Sequence, residues 1–403
     1  MADFGGARLD AFRAEARAWL ADNFPPGLAG AQPPGDDPEP REGERDLWRR
    51  RMGAKGWGVP TWPAAYGGGG LGAEEADVLA EEMAAIGAYN PIVGLGVIMF
   101  GPTLLEYGTH AQKLRHIPPI CRGELRWCQG FSEPGSGSDL ASLSTRCEDR
   151  GDHWLINGQK VWTSGAQHAD WCFCLVRTDR TRKHDGISFV LIDMRQPGVE
   201  ARPIRLINGL SPFCETFFTD ARAEKDDLVG PLNGGWAIAK RLLQHERQGI
   251  SDQGRFSGPY FIPGPPLPEL AKQYVGVDET GRLADGDLRA RVTEAMMHAH
   301  AFRLTAERVE RETAAGHGPS AASSALKNAG SKMRQDRGDL TIEFLGHQGL
   351  GWEGDGFTAD ELEIPRVWLR GKAATIAGGT WEVQLNVIAK RILGLPEAKP
   401  AGS

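Results

Sequence analysis

The sequence predicts an α+β protein built from three successive segments, helical, then β, then helical. Three observations predict it. Apolar residues recur at helical spacing through residues 1–125. Short β-rich runs alternate with turn residues through 126–232. Helical patterns return over 233–395, and 396–403 reads as a frayed tail. At 403 residues, 40% hydrophobic and 25% charged, the chain has ordinary globular composition and ample length for two or three structural units with a buried core.

In the first segment, Leu9, Phe12, Ala16, Trp19 and Leu20 fall on one helical face, and Ala73–Ile86 is rich in Ala and Glu. Pro25–Pro40, dense in Pro, Gly and Asp, is a loop, and Tyr66–Gly70 is another break. Pro91–Leu105 is the most apolar stretch; it is too short to span a membrane and reads as a buried helix. In the second segment Ser142–Cys147, His153–Ile156, Gln159–Thr163, Trp171–Val176, Ile187–Asp193 and Phe213–Thr219 read as strands. Asn157-Gly158 predicts a hairpin turn between the second and third of these, and the whole suggests a small barrel or sandwich. In the third segment the helices are Gly234–Ile250, Asp287–Ala315, Ser320–Gly346 and Thr380–Leu393, with a Pro/Gly-rich loop at Gly254–Pro268.

A net charge of −7 spread along the chain argues against nucleic acid as a partner, which needs a clustered basic face. Charged residues interrupt the opening twenty, so no secretory signal is read and a cytoplasmic location is expected. The six Cys (121, 128, 147, 172, 174 and 214) form no CxxC pair, and no HExxH is present. Neither a disulfide framework nor a metal site is expected. Cys172 and Cys174, two apart in an apolar run, belong on one face of a strand as core thiols.

Three stretches carry chemistry. Ser132-Glu133-Pro134-Gly135-Ser136-Gly137-Ser138-Asp139 follows an apolar run. Its glycines allow positive φ and its amides and hydroxyls suit an anion, although Gly/Ser turns are common and most bind nothing. Trp162 and Ser164 would share one face of a strand end, an indole to stack on a flat ring and a hydroxyl to bond a ring nitrogen; a core Trp and a strand-end Ser are the plainer reading. On the helix from Gly234, Trp236, Ala239, Leu243 and Ile250 define the buried stripe, and Glu246 falls on it. Desolvation would raise its pKa and make it a base near neutral pH; an ion pair with Arg247 or another cation is the equal alternative.

Together these stretches resemble the acyl-CoA dehydrogenase family. Gly130–Asp139 looks like its flavin and substrate motif. Asn157–Gly165, followed by Ala169-Asp170, looks like its hairpin, and Ile376–Gln384 looks like its C-terminal flavin motif. The wording is similar to bacterial members acting on unusual acyl groups, including steroid side chains. The resemblance implies an N-terminal helical domain, a central β-barrel or sandwich and a C-terminal four-helix bundle. It implies FAD bound between subunits of a homo-oligomer, or beside a related subunit. It places Gln129, Phe131, Ser132, Gly137, Ser138, Trp162, Thr163, Ser164, Glu343, Gly346, Thr380 and Glu382 at the cofactor. Ser138, Arg247, Gly378, Gly379 and Trp381 fall at the substrate, an acyl-CoA or carrier-bound acyl thioester. Most members carry the α-proton base immediately before the Gly-Thr of the last motif, where this chain has Gly378. Isovaleryl-type members carry it in a Glu-Arg pair on the helix after the β domain, which here is Glu246-Arg247. Glu246 is therefore the expected base, with hydride passing to flavin N5 and electrons then to an electron-transferring flavoprotein.

The departures from the family pattern are as informative. Its Arg-Gln-x-Phe-Gly segment has no match near Gly254–Pro268. Glu343 and His347 stand for Gln and Gly, Trp381 for a small residue and Leu385 for an Arg. These fit a chain that pairs with a different, related subunit and whose flavin site is incomplete alone. A flavin monooxygenase of the same fold is the other alternative, opposed by the retained Glu-Pro-Gly-x-Gly-Ser-Asp wording and Glu246.

Overall fold

In the computed structural model, which describes residues 6–31, 33, 40–253, 266–314 and 322–396, helix α1 (Gly6–Asn23) forms where the spacing predicts and buries Phe12, Ala16 and Leu20. α2 (Gly43–Lys55) ends at Gly56 with φ 75°, the left-handed conformation that suits glycine. α3 (Ala73–Ala85) is tied to α1 by Arg13 and Arg17 converging on Glu82 at 2.6 Å each. The apolar stretch over 91–105 is not one helix. Pro91 and Gly94 (φ 107°) hold off helix, a π-turn occupies Gly96–Phe100, and α4 (Gly101–Tyr107) follows. α5 (His110–Cys121) starts from a capping box in which Thr109 and Gln112 exchange side chain-to-backbone bonds.

The middle segment forms one eight-stranded sheet. Its strands are β1 (Trp127–Gly130), β2 (Arg146–Asp149), β3 (His153–Ser164), β4 (Trp171–Arg177), β5 (Ile187–Asp193), β6 (Val199–Ile204), β7 (Phe213–Glu224) and β8 (Leu228–Val229). The order is β6-β7-β3-β2-β4-β5-β8, with β1 parallel to β4. β4 is buried along its whole length. Its odd positions, Trp171, Phe173 and Leu175, join the core of the N-terminal helices; Cys172, Cys174 and Val176 join a second core inside the sheet. That inner core draws on both arms of the sheet, Val190 and Ile192 of β5 with Ala221 and Ala223 of β7, so the sheet curls around it. All six cysteines are free and buried.

The Asn157-Gly158 hairpin does not form. β3 runs straight through it, and the chain reverses at Gly151 (φ 88°) instead. Asn157 exchanges two bonds with Asp220 of β7 (Nδ2 to Oδ1 at 3.0 Å; Oδ1 from the Asp220 amide at 2.9 Å) where the β3–β7 register shifts. The dipeptide marks a bulge. Gly158 is needed there for space, since a Cβ would sit 2.5 Å from Thr145 Oγ1.

After the sheet come α6 (Gly235–Gln253), α7 (Leu267–Val275), α8 (Gly286–Ala314), α9 (Ala322–Leu345), α10 (Ala359–Gly371) and α11 (Trp381–Val387), the last running into a π-turn at Ile388–Ile392. Two compact units result: Met1–Ile204 with Ser211–Glu246, and Arg205–Leu210 with Arg247–Ser403. In the second, Leu267, Leu270, Val292, Leu340 and Phe344 gather α7, α8 and α9 around one core. Within that same unit Asn208 O accepts from Arg366 of α10 at 3.4 Å. No helix among the described residues is long and apolar enough to cross a membrane.

Candidate active site

In the first unit the predicted residues lie on two adjoining segments, the turn after β1 and the end of β3. The turn closes on itself: Glu133 N–H donates to Ser136 O at 2.9 Å and Ser136 N–H to Glu133 O at 3.0 Å. Gly135 and Gly137 do not take positive φ. Ser136 is buried, and its hydroxyl donates to the carbonyls of Asp139 and Leu140 at 3.1 Å each. The expected cradle of left-handed glycines and three serine hydroxyls is thus corrected: reciprocal backbone bonds shape this turn, and Ser136 is spent within it. Ser138 and Gly137 are exposed; Ser132 and Gln129 are half-buried; Phe131 is core.

A feature that sequence reasoning passed over holds the turn in place. Lys160 of β3 is fully buried (0% exposed), and its ammonium donates to Glu133 Oε1 at 2.9 Å and Phe131 O at 3.1 Å. The Glu133 carboxylate also accepts from Thr145 N–H (2.8 Å), Ser144 N–H (2.7 Å) and Ser144 Oγ (2.8 Å). Burial alone would raise this carboxyl's pKa; the Lys160 charge and the Thr145 and Lys160 hydrogen bonds outweigh it and hold it at about 2. The next residue, Val161, donates its N–H to Ser132 O at 2.9 Å. Strand alternation offered the signal: Lys160 sits in the inward phase with Ile156 and Gly158.

Beyond Lys160 the strand kinks. The β3–β7 register shifts between Lys160 and Thr163, and Trp162 adopts φ 61°. A left-handed tryptophan is strained, by about 1–2 kcal/mol. The kink leaves its indole 56% exposed, with Phe213 edge-on at 6.0 Å. Trp162 is therefore not a core residue. Thr163, next to it, is fully buried and its hydroxyl has no partner, while Ser164 is half-buried.

On α6 the buried stripe is Ile238, Ala239 and Leu242, with Trp236 and Leu243 at its margins, a small rotation from the predicted face. Glu106 of α4 anchors the helix: it accepts from Arg241 Nη2 at 2.6 Å and lies 3.1 Å from His245 Nε2. The Arg241 guanidinium holds the Glu106 carboxyl below its usual range. Glu246 and Arg247 follow on the helix, and their side chains, like that of Ile250, lie outside the described residues.

In the second unit Gly378, Gly379, Thr380, Trp381 and Glu382 lie where the segment before α11 meets the N-terminal half of α9, whereas Glu343 and Gly346 lie at the other end of α9 and are not brought to them. Gly378 (φ 68°) and Gly379 (φ 93°) are left-handed, and Gln384 Nε2 donates to Gly378 O at 3.1 Å. Thr380 caps α11, its Oγ1 accepting from Val383 N–H at 3.2 Å, and Glu382 is exposed in the first turn. Asn328 Nδ2 donates to Trp381 O at 3.2 Å, and Ser331 Oγ to Ala374 O at 2.8 Å. Beside them the Lys327 ammonium and the Asn328 Oδ1 are buried without partners. Glu343 is exposed and engaged by Arg291 through two bonds of 2.7 and 2.8 Å, and Gly346 closes α9 with φ 53°.

These residues fit the flavin that the resemblance implies. The first unit offers a projecting indole with the half-buried Ser132 and Ser164 on adjoining segments, and the second offers unpartnered polar atoms next to Thr380 and Glu382. Among the described residues no group of His, Cys, Asp and Glu could hold a metal.

Comparison with known proteins gives the same direction throughout. Three family models match in order: acyl-CoA dehydrogenase N-terminal domain over residues 7–124, middle domain over 128–221 and C-terminal domain over 233–393. Acyl-CoA dehydrogenase IpdE1 of Mycobacterium tuberculosis is 38% identical over 400 residues, 97% of this chain and 99% of its own. Its counterpart from Mycolicibacterium smegmatis is 38% identical over 399 residues, 96% and 97% of the two chains. Among solved structures, the Tcur3481-Tcur3483 steroid acyl-CoA dehydrogenase superposes with a TM-score of 0.75 at 30% identity, covering 97% of this chain and 98% of that one. The ChsE4-ChsE5 complex from Mycobacterium tuberculosis gives 0.71 at 28% identity, covering 99% and 100%.

Proposed function

The chain belongs to the acyl-CoA dehydrogenase family, oxidoreductases acting on CH–CH groups whose members are FAD-dependent, and on that premise we propose that it dehydrogenates an acyl thioester at its α and β carbons with Glu246 as the base. One observation carries the reading: a strained, half-exposed Trp162 held out at the end of a strand whose preceding residue but one is locked in the core. Strained backbone of this kind clusters at active sites and ligand clamps.

Within the first unit, Trp162 supplies the flat apolar face, and Ser132 and Ser164 supply hydroxyls beside it. FAD, when bound, accepts the hydrogen leaving the β carbon together with the electron pair. The Glu246 carboxylate takes the α proton. Sequence spacing puts it one helical turn beyond the buried Leu242; a carboxylate desolvated there would have its proton affinity raised. Glu106, through Arg241 and His245, fixes that turn of the helix. Positioning of base and substrate in a dry site supplies most of the rate. In the second unit, Gly378 leaves the segment before Thr380 without a carboxylate at the alternative position, which makes Glu246 the consistent choice. Glu246→Gln tests the assignment: it should keep FAD and bind acyl thioester but abolish bleaching of the flavin by substrate. Full bleaching in that variant removes Glu246 from the role.

A second reading has its own support. The exposed Glu343 is tied up by Arg291, and the second unit exposes Met297, Leu350, Ile376 and Leu393. Two of the similar structures carry paired names, Tcur3481-Tcur3483 and ChsE4-ChsE5. The chain would then work beside a related subunit that completes the flavin site. An electron-transferring flavoprotein is the expected acceptor in either case. FAD content of the chain expressed alone separates the two readings.

A further inference from the structure

We propose that the buried Lys160–Glu133 pair is a positioning device for the flavin-facing edge, locking the Ser132 turn to β3 two residues before the Trp162 kink. The inference rests on the flavin face proposed above and adds to it the element that sets its geometry. Three successive residues of the turn are held by two successive residues of the strand: Phe131 O and Glu133 Oε1 by the Lys160 ammonium, and Ser132 O by Val161 N–H at 2.9 Å. The free end of the carboxylate reaches the other way, to Ser144 N–H and Oγ, while Oε1 also takes Thr145 N–H. One side chain thus ties β1's exit, β3 and the approach to β2 together. Lys160 is 0% exposed. A buried ion pair is poor evidence for stability, because apolar residues of similar volume hold a core as well or better. What they lack is direction: they cannot fix Phe131 O, Ser132 and two backbone amides at set positions. The kink then starts from a fixed point, so that Trp162 and the Ser132 turn keep one spacing despite the strain at Trp162.

The test uses the full chain, with any subunit it carries. Lys160→Met/Glu133→Met should leave the apoprotein melting within a few degrees of wild type. FAD should nevertheless bind about ten-fold or more weakly, with a displaced visible flavin band and a changed midpoint potential. Ser144→Ala removes one contact to Glu133 at an exposed residue, so it folds in any case; it should weaken FAD by about two- to five-fold. A folded double variant with wild-type FAD affinity, band and potential overturns the proposal, as does an unaffected Ser144→Ala where the double variant does not fold. A wild-type chain that takes up no FAD, alone or with its companion subunit, overturns the flavin face itself, which distinguishes that failure from the positioning role's.

Discussion

Replacing Lys160 alone by Met gives a stability change whose size and pH dependence follow from the geometry. Glu133 keeps its three contacts to Ser144 and Thr145 but loses the cation bonded to it, 2.9 Å away. A buried charge stripped of its partner costs about 3–5 kcal/mol. The titration gives an independent figure. A carboxyl at about 2 in the folded chain, against an ordinary 4.5 unfolded, contributes about 3 kcal/mol at neutral pH. Because the folded value is depressed, that contribution is fully present above pH 4.5 and is lost as pH falls from 4.5 toward 2. In Lys160→Met the carboxyl is no longer held low and takes a proton while folded. The variant should therefore be about 3–5 kcal/mol less stable at neutral pH, with the gap narrowing as acid is added. Urea unfolding of the apoprotein, followed by circular dichroism at neutral and acid pH, measures both. A variant within about 1 kcal/mol of wild type at neutral pH, or one whose deficit is equal at both pH values, refutes the reasoning.

Further outcomes are expected elsewhere. Trp162→Asn should relieve the left-handed strain and stabilise the apoprotein by about 1 kcal/mol while FAD retention falls sharply, read from melting and from flavin content. His116 is buried among Phe100, Trp127 and Trp171, and burial pushes its pKa down to about 4. It stays neutral in the fold while the unfolded chain charges near 6.5, so stability falls as pH drops from 6.5 to about 4. His116→Phe should flatten that slope, worth about 3 kcal/mol, in a pH series of unfolding curves. Gly158→Ala drives a Cβ to 2.5 Å from Thr145 Oγ1 and 2.7 Å from its Cα; it should cost about 1–3 kcal/mol, and a variant as stable as wild type would show that β2 yields easily.

Much of this architecture was legible because its signals are local. The Ala- and Glu-rich run became α3, and the alternation around Cys172 and Cys174 became a strand buried on both faces. Three elements hide for identifiable reasons, and one predicted turn misleads. α10 carries Pro365 within it, which reads as a break. β6 is half-exposed along its length and includes Glu200, Arg202 and Pro203, so no apolar alternation marks it. α7 adjoins the Pro/Gly-rich stretch and was absorbed into it. Asn157-Gly158 mimics a two-residue turn, but its Asn is bonded to Asp220 across the sheet, a partner far away in sequence. The site divides the same way. Trp162, Ser132 and Thr380 stand out by residue type and motif wording. The Glu133–Lys160 lock does not, because a charged pair separated by 27 positions gains meaning only once β3 folds beside the turn. Ser136 was misjudged because residue type says nothing of direction: its hydroxyl turns into the loop.

The decisive measurement follows an acyl thioester labelled with deuterium at both Cα and Cβ as it meets the FAD-loaded protein without oxygen. Dehydrogenation with Glu246 as base gives a 2-enoyl product that has lost one label from each carbon, with stoichiometric loss of flavin colour. Label lost from Cα alone, with colour retained, or an oxygenated product once air is admitted, would contradict it.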